Sequence, residues 1–424
     1  MAYRFVHAAD IHLDSPLRSL ALRNPELAEM IGNATRQAFV RIVDLCLREA
    51  VDALLLAGDL YDGEQTSMKT AHFLAEQFRR LHEADILVFI IRGNHDAVSQ
   101  ITKELSFPDT VKVFEKWSEA IHVERMPTDF PVVIHGLSFA EPHAPESLVE
   151  KYQPAVEGAF NIGILHTSLT GSSGHNPYAP CTLADLQTTG FQYWALGHIH
   201  KRSVYEGNCT VVMPGMPQGR DINESGIKSV SLVTVADDMS IQIVERPTSV
   251  AQFERVEVDA NGIDKWPALA KEIGRALELA REAAASDHLV ARVRLTGASS
   301  LAWRMLRDID LLKAEADERA SLVGRCWVEK LDVQSRSPTD TNCASGDPLL
   351  ELRRLISEEV AGSEAFKTAA LEAAEELRGH LPAECRDVLG QDETELRAIV
   401  EELVAEGADH VIARLHADTE GEIA

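Results

Sequence analysis

Five short polar clusters, each placed where a run of apolar, β-branched residues stops, constrain what this 424-residue chain can fold into more than any other feature. Runs 4–8, 53–56 and 86–91 read as buried strands and are followed by Asp10-Ile11-His12, by Gly58-Asp59-Leu60-Tyr61-Asp62 and by Gly93-Asn94-His95-Asp96. The intervening segments 33–50 and 67–83 carry Phe39, Ile42, Val43 and Cys46, then Ala71, Leu74, Phe78 and Leu81, at helical spacing. The pattern predicts β-α-β-α-β. Runs 132–134, 160–165, 193–196 and 211–213 follow, with His166 after the second and Gly197-His198-Ile199-His200 after the third. Residues 229–235 and 240–244, joined at Asp237-Asp238, predict a closing hairpin before a break at Pro247. The fold class is therefore α/β, strands buried among helices.

Any one cluster is what a turn after a strand ordinarily contains. Together they supply Asp10, His12, Asp59, Asn94, His166, His198 and His200 as oxygen and nitrogen donors, all at strand ends on the edge where α/β ligand sites form. Carboxylate, amide and imidazole donors without a thiolate suit Mn²⁺, Fe, Zn²⁺ or a similar divalent ion. More donors are present than one ion needs. The inventory suits two ions about 3.5–4 Å apart, an arrangement that activates water and stabilises in-line displacement at phosphorus. Phosphoester hydrolysis is the expected reaction class.

In this order and spacing the five blocks resemble the signature of the calcineurin-like metallophosphoesterases over about residues 1–250. Within that superfamily the chain is similar to the SbcD/Mre-type DNA repair nucleases, and most to bacterial YhaO-type exonucleases. The blocks that carry this narrower likeness are His12-Leu13-Asp14-Ser15-Pro16-Leu17, His175-Asn176-Pro177-Tyr178-Ala179-Pro180-Cys181 and residues 214–224. The resemblance implies a two-sheet sandwich flanked by helices. It implies one metal on Asp10, His12, Asp59 and His200 and a second on Asp59, Asn94, His166 and His198, with Asp59 bridging and Mn²⁺ the first expectation. His95 is then free to protonate the leaving oxygen, a task its near-neutral pKa suits. Many recombination nucleases have His where this chain has Asp62, and Asp62 is expected to orient His95. Arg220 and Tyr178 are candidates for contact with a phosphate or a base.

A domain boundary is expected near residue 250. Strand, helix, strand, helix, strand over 253–258, 266–285, 289–295, 301–316 and 326–333 predicts a small α+β domain, 251–335, which resembles the capping domain of SbcD-type nucleases. After a polar linker, Asp347 and Pro348 read as the start of a helical region, 347–424, whose last helix runs from Leu396 to Gly407. These helices are either a dock for an SbcC-like ATPase of the ABC/SMC type or elements that pack on their own chain. The expected function is a two-metal DNA exonuclease. A hydrolase of small or cyclic phosphodiesters and a catalytically silent scaffold are the alternatives, the last disfavoured because every ligand position is filled. Expected partners are DNA, the ATPase and, as a further candidate, a second copy of the chain.

The 41 Lys and Arg against 67 Asp and Glu leave a net charge of −26, which argues against sequence-blind adhesion to phosphate backbones or anionic lipids. Residues 347–424 hold seven of the basic and twenty of the acidic groups, half of that excess. Two divalent ions bring about +4 to the point where a phosphate must arrive. DNA binding is thus expected to be weak, local and metal-dependent. Six scattered cysteines form no Cys-x-x-Cys pair, no apolar stretch approaches the roughly 20 residues of a membrane span, and the N-terminus has no leader pattern. A cytoplasmic protein with reduced thiols is expected.

Overall fold

The computed structural model describes residues 2–15, 32–61, 68–97, 107–124, 128–169, 178–338, 348–381, 389–390 and 392–420. The chain divides into two compact units, Met1–Phe253 with Ala284–His288, and Glu254–Ala283 with Leu289–Ala424.

The first unit opens with β1 (Tyr3–Ala8), α1 (Ala34–Glu49), β2 (Ala53–Ala57), α2 (Met68–Glu83), β3 (Leu87–Ile91), β4 (Val111–Val113), β5 (Glu119–His122) and β6 (Val132–Gly136). It continues through β7 (Phe160–His166), α3 (Leu183–Gln187), β8 (Tyr193–Gly197), β9 (Ser203–Tyr205), β10 (Thr210–Met213), β11 (Ser229–Val235) and β12 (Ile241–Pro247). Two six-stranded sheets result, ordered β12-β11-β1-β2-β3-β4 and β5-β6-β7-β8-β10-β9. β1 to β4 are mutually parallel, as are β6, β7, β8 and β10, and antiparallel strands close the remaining edges.

Why β2 reads as an unbroken apolar run follows from its two neighbours. Successive side chains of a strand point to opposite faces. Ala53, Leu55 and Ala57 meet Phe160, Ile162 and Tyr193 of the second sheet. Leu54 and Leu56 meet Phe39, Ile42 and Phe78 of α1 and α2. The outer face of the second sheet is covered in turn by Phe191 and Leu186 against Trp194 and Leu196. The result is the expected sandwich, with helices outside the first sheet.

The strands the sequence pattern does not announce, β4, β5 and β9, are edge pieces of three or four residues, too short for an alternation to register. The break stands at Pro247, which ends β12 opposite Ser229, and the strand fills the residues between the expected Val244 and the proline. It is the last residue of an edge strand, where a missing N–H removes no ladder bond.

In the second unit, β13 (Ala251–Asp259), which begins three residues before the boundary, is followed by α4 (Trp266–Ala283), β14 (His288–Thr296), α5 (Ala302–Arg307), α6 (Ile309–Val323) and β15 (Cys326–Val333). The three strands form one sheet in chain order, β14 parallel to β15. The single helix expected over 301–316 is two. Asp308 divides them at φ −102° and ψ 36°, its carboxylate drawn back onto Arg307 at 2.7 and 2.9 Å. Next come α7 (Pro348–Leu355), a π-helical turn (Ile356–Val360), α8 (Glu364–His380) and α9 (Glu393–Glu420). Asp347, the expected cap of α7, lies outside the described residues. α9 continues past Gly407, with Ala408 and Ala413 sustaining it, and packs along α5 and α7. Arg353 of α7 stacks 5.6 Å from the Trp303 ring and pairs with Asp409 at 2.9 Å, so these helices do pack on their own unit.

One buried titratable group reports on the first unit as a whole. His7 is fully buried, with Nδ1 3.1 Å from the Tyr193 hydroxyl and Nε2 3.0 Å from the Leu196 carbonyl. Burial pushes its pKa down to about 3, the Leu196 carbonyl opposing and Arg202 adding to the fall. The unfolded chain takes up this proton near pH 6.5 and the folded chain does not until about 3. Stability present above pH 6.5 is therefore lost as the pH falls through that window, at a slope approaching about 1.4 kcal/mol per pH unit from this group. Urea unfolding between pH 7 and pH 4 should show a shallower decline for His7→Gln than for the wild type, and equal slopes would refute it.

Candidate metal centre

Strand direction and register bring the clusters together. β1, β2 and β3 are parallel, so the loops that carry Asp10, Asp59 and Asn94 leave the first sheet at one edge. In the second sheet His166, the last residue of β7, stands opposite Gly197 of β8, which puts His198 one step beyond it. The first two loops are zipped beyond the strands by Asp10 N–H to the Gly58 carbonyl (3.1 Å), His12 N–H to that of Asp59 (3.0 Å) and Leu13 N–H to that of Leu60 (3.0 Å). The two sheets are tied at the same place: the His198 N–H reaches both carboxylate oxygens of Asp10 at 3.0 Å.

The backbone here is strained. Asp10, His12, Asp59 and His198 have φ of 53°, 47°, 51° and 103°, in the left-handed region where a side chain costs about 1–3 kcal/mol. Close approach explains two glycines: a Cβ on Gly58, itself at φ 90°, would run into the His166 ring, and one on Gly93 into Asp59 and the same ring.

Two groups of donors result. Asp10, His12 and His200 offer ligand atoms within 4.8 Å of one another, and so do Asp59, His166 and His198. Asn94 joins the second, its Oδ1 3.0 Å from His166 Nε2, which is also 3.2 Å from Asp59 Oδ2. In the first, His12 Nε2 and His200 Nε2 stand 3.2 Å apart. At that separation the two nitrogens share one proton or face a common cation. His166 Nδ1 donates to the Ala57 carbonyl at 3.0 Å and His200 Nδ1 to Glu224 Oε1 at 2.8 Å, which fixes both tautomers and turns both Nε2 atoms inward as ligands require. The donors fit two divalent cations.

The charges point the same way. Burial raises the pKa of Asp10, with Asp59 adding to the rise against the nearby imidazoles. Burial also raises Asp59, but the charge and hydrogen bond of His166, with His12 and His95, outweigh it and hold this carboxyl well below the ordinary range. For His166 burial acts downward; Asp59 by charge and hydrogen bond, then Asp10 and the Ala57 carbonyl, push it up to about 9. The protein alone thus keeps a proton on His166 where a cation would sit.

The remaining expected residues lie around this centre. His95 donates its backbone N–H to Asp59 Oδ1 at 3.0 Å and sets its ring edge-on to His12 at 5.0 Å. Tyr178 lies 5.2 Å from the His198 ring, anchored by its N–H on Ser168 Oγ. Arg220 pairs with Glu224 at 2.8 Å. Asp62, and with it the expected Asp62–His95 pair, lies outside the described residues. Two residues escape motif reasoning. Glu224 is visible in the sequence only as the end of a block. Asp96, the fourth residue of Gly93-Asn94-His95-Asp96, accepts the N–H of Leu60 (3.0 Å) and of Gly93 (2.5 Å), fastening the Asp59 loop to the Asn94 loop. Burial and the Asp59 charge push its pKa up to about 7.

Since His166 is protonated below about 9 and a ligand imidazole must be neutral, metal uptake near neutral pH should release about one proton from it. Calorimetric titration with Mn²⁺ at pH 7.5 in buffers of different ionisation enthalpy should return different apparent enthalpies, and the apparent affinity should rise about tenfold per pH unit up to about pH 9. Enthalpies that do not depend on the buffer would refute this.

Residues 3–202 match the calcineurin-like phosphoesterase family, and residues 253–336 match the middle domain of metallophosphoesterase YhaO. The chain is 37% identical over 272 residues to the uncharacterized metallophosphoesterase YhaO of Bacillus subtilis, covering 62% of this chain and 65% of that one. It is 26% identical over 222 residues to the DNA double-strand break repair protein Mre11 of Sulfurisphaera tokodaii, covering 50% and 54%. To the SbcD component of the nuclease SbcCD from Staphylococcus epidermidis it is 24% identical over 226 residues, covering 46% and 56%. The chain therefore spans between about half and two thirds of the length of these relatives. On these matches the N-terminal part of the chain, residues 3–202, is a calcineurin-like metallophosphoesterase domain.

Proposed function

We propose that the protein is a two-metal phosphodiesterase acting on DNA, an exonuclease that works beside an SbcC-like ATPase, with Mn²⁺ as its metal and the cytoplasm as its setting. The observation that carries this reading is the pair of adjoining donor groups, Asp10–His12–His200 and Asp59–His166–His198, at one edge of the sandwich. Likeness to proteins named as a DNA break repair protein and a nuclease supports DNA as substrate. The four described cysteines, all buried free thiols, accord with a reducing compartment.

In this reading Asp10, His12, Asp59 and His200 hold one ion and Asp59, Asn94, His166 and His198 the other. Bound divalent ions supply a water activated at neutral pH and positive charge against the phosphate oxygens. The protein's own part is to fix and to protonate. Asp59, through the His95 amide, sets His95 beside His12, and His95 delivers its proton to the departing oxygen of the cleaved ester. Asp62 is assigned to orient His95, and Tyr178 and Arg220 to meet the DNA strand next to the scissile bond. The acidic surface repels DNA everywhere except near the cations, so a basic surface on the ATPase is expected to contribute to binding.

Purified protein with Mn²⁺ should degrade end-labelled DNA and leave closed circles intact. His95→Ala should lower hydrolysis by about 10²–10⁴ with metal content unchanged, whereas Asp59→Asn should lose both. Cleavage of bis-p-nitrophenyl phosphate with single- and double-stranded DNA left whole would overturn the nuclease assignment and keep the phosphodiesterase.

A further inference from the structure

The two metal positions differ in what stands behind them. Behind the Asp59–His166–His198 position, His166 Nδ1 rests on a neutral acceptor, the Ala57 carbonyl, at 3.0 Å. Behind the Asp10–His12–His200 position, His200 Nδ1 rests on a carboxylate, Glu224 Oε1, at 2.8 Å. Glu224 is mostly buried and held independently of any ion. Arg220 gives it a backbone N–H at 2.7 Å and a guanidinium N–H at 2.8 Å. The short 3-10 turn Ile222–Glu224 that bears it is capped by Asp221, which accepts the Asn223 N–H at 2.7 Å. Gly219 passes so close to the Glu224 carbonyl that a Cβ there would stand 2.7 Å from it. Arg220 also approaches Ser15 Oγ at 3.5 Å, on the loop that carries His12.

We propose that the centre is unequal by construction: Glu224, clamped by Arg220, makes the Asp10–His12–His200 position bind its cation first and more tightly, while the other position fills second. A carboxylate on the outer nitrogen of a ligand imidazole raises its basicity toward a metal and fixes its ring, and losing such a partner costs about 10–100-fold in affinity. A carbonyl fixes the ring without adding charge. Glu224 and Arg220 are thus positioning residues that act through His200, and the structure assigns the fast-exchanging ion to the His166 side. The inference rests on the two-metal reading above.

The test is calorimetric titration of the full chain with Mn²⁺ alone, with metal content measured after desalting. The wild type should take up two ions in two separable steps and retain one. Glu224→Gln keeps the size and one acceptor oxygen for His200 Nδ1 but removes the charge and the acceptor that takes the Arg220 backbone N–H, so a role limited to holding the His200 ring is largely retained by it. It should weaken the tight step about 10–100-fold, leave the weak step in place and retain no ion. Glu224→Asp keeps the charge but withdraws it from His200 and should show the same loss, which covers the case that the Gln variant fails to fold. A tight step unchanged in either folded variant overturns the proposal, as do two equal steps in the wild type. A wild type that binds fewer than two ions refutes instead the two-metal reading on which it rests.

Discussion

Two carboxylates, Asp10 and Asp59, are buried side by side at 0% and 1% exposure, and much of the first unit is arranged so that this can be so. Taking a single ionised carboxylate out of water costs several kcal/mol, and two neighbours add their mutual repulsion. The fold answers with backbone amides, imidazoles and strain. His198 N–H spans both oxygens of Asp10, His95 N–H takes one oxygen of Asp59, and His166 lies against the other. The proton held on His166 against Asp59 belongs to the same answer, so the donor set and the fold's stability at this edge are one problem. The glycines at 58 and 93 and the zipped loops after β1 and β2 are the geometry that lets so many donors converge.

The sequence made the central strands of the first unit legible because they are buried on two faces and read as apolar runs, and its ligands legible because they sit where those runs stop. It was mute where the signal is made by partners distant in the chain. Glu224 is one acidic residue among many until β8 and the loop after β10 bring it to His200. Asp96 looks like part of a turn until Leu60 is seen on its carboxylate. The edge strands β4, β5 and β9 are too short to have a period. In the second unit α8 lacks any fully buried residue, so its 17 residues show no strong apolar stripe, although Ser363 bonds the Phe366 N–H as an N-cap. Asp308 divides a helix that the apolar spacing alone would continue.

The acidity of the chain has a local meaning in the structure. Half of it belongs to the last helices, where a few of the acidic groups are paired with near neighbours: Arg354 lies between Glu351 and Glu358, and Arg397 against Glu393. Exposed pairs of this kind contribute little to stability. They do blunt a field that would otherwise repel phosphate at long range. α9 packs along α5 and α7, and what the last helices present to solvent is an acidic, partly self-paired surface in which Phe366, Leu377, Leu403 and Val411 are also exposed, a composition poorly suited to nucleic acid.

The left-handed backbone at Asp10, His12, Asp59 and His198 has a consequence for how such a centre can change over evolutionary time. Only Gly, Asn, Asp and His enter that region with ease. A mutation from Asp to Glu, conservative in charge, therefore meets a backbone as well as a distance penalty, whereas Asp to Asn or His is tolerated by the main chain and changes only the chemistry. At these four positions exchanges among Asp, Asn and His cost the main chain least, while any other side chain adds about 1–3 kcal/mol of backbone strain to whatever it changes in the donor set. Asn94, His166 and His200 carry no such penalty, so substitution is cheaper for the main chain at those three positions than at the other four.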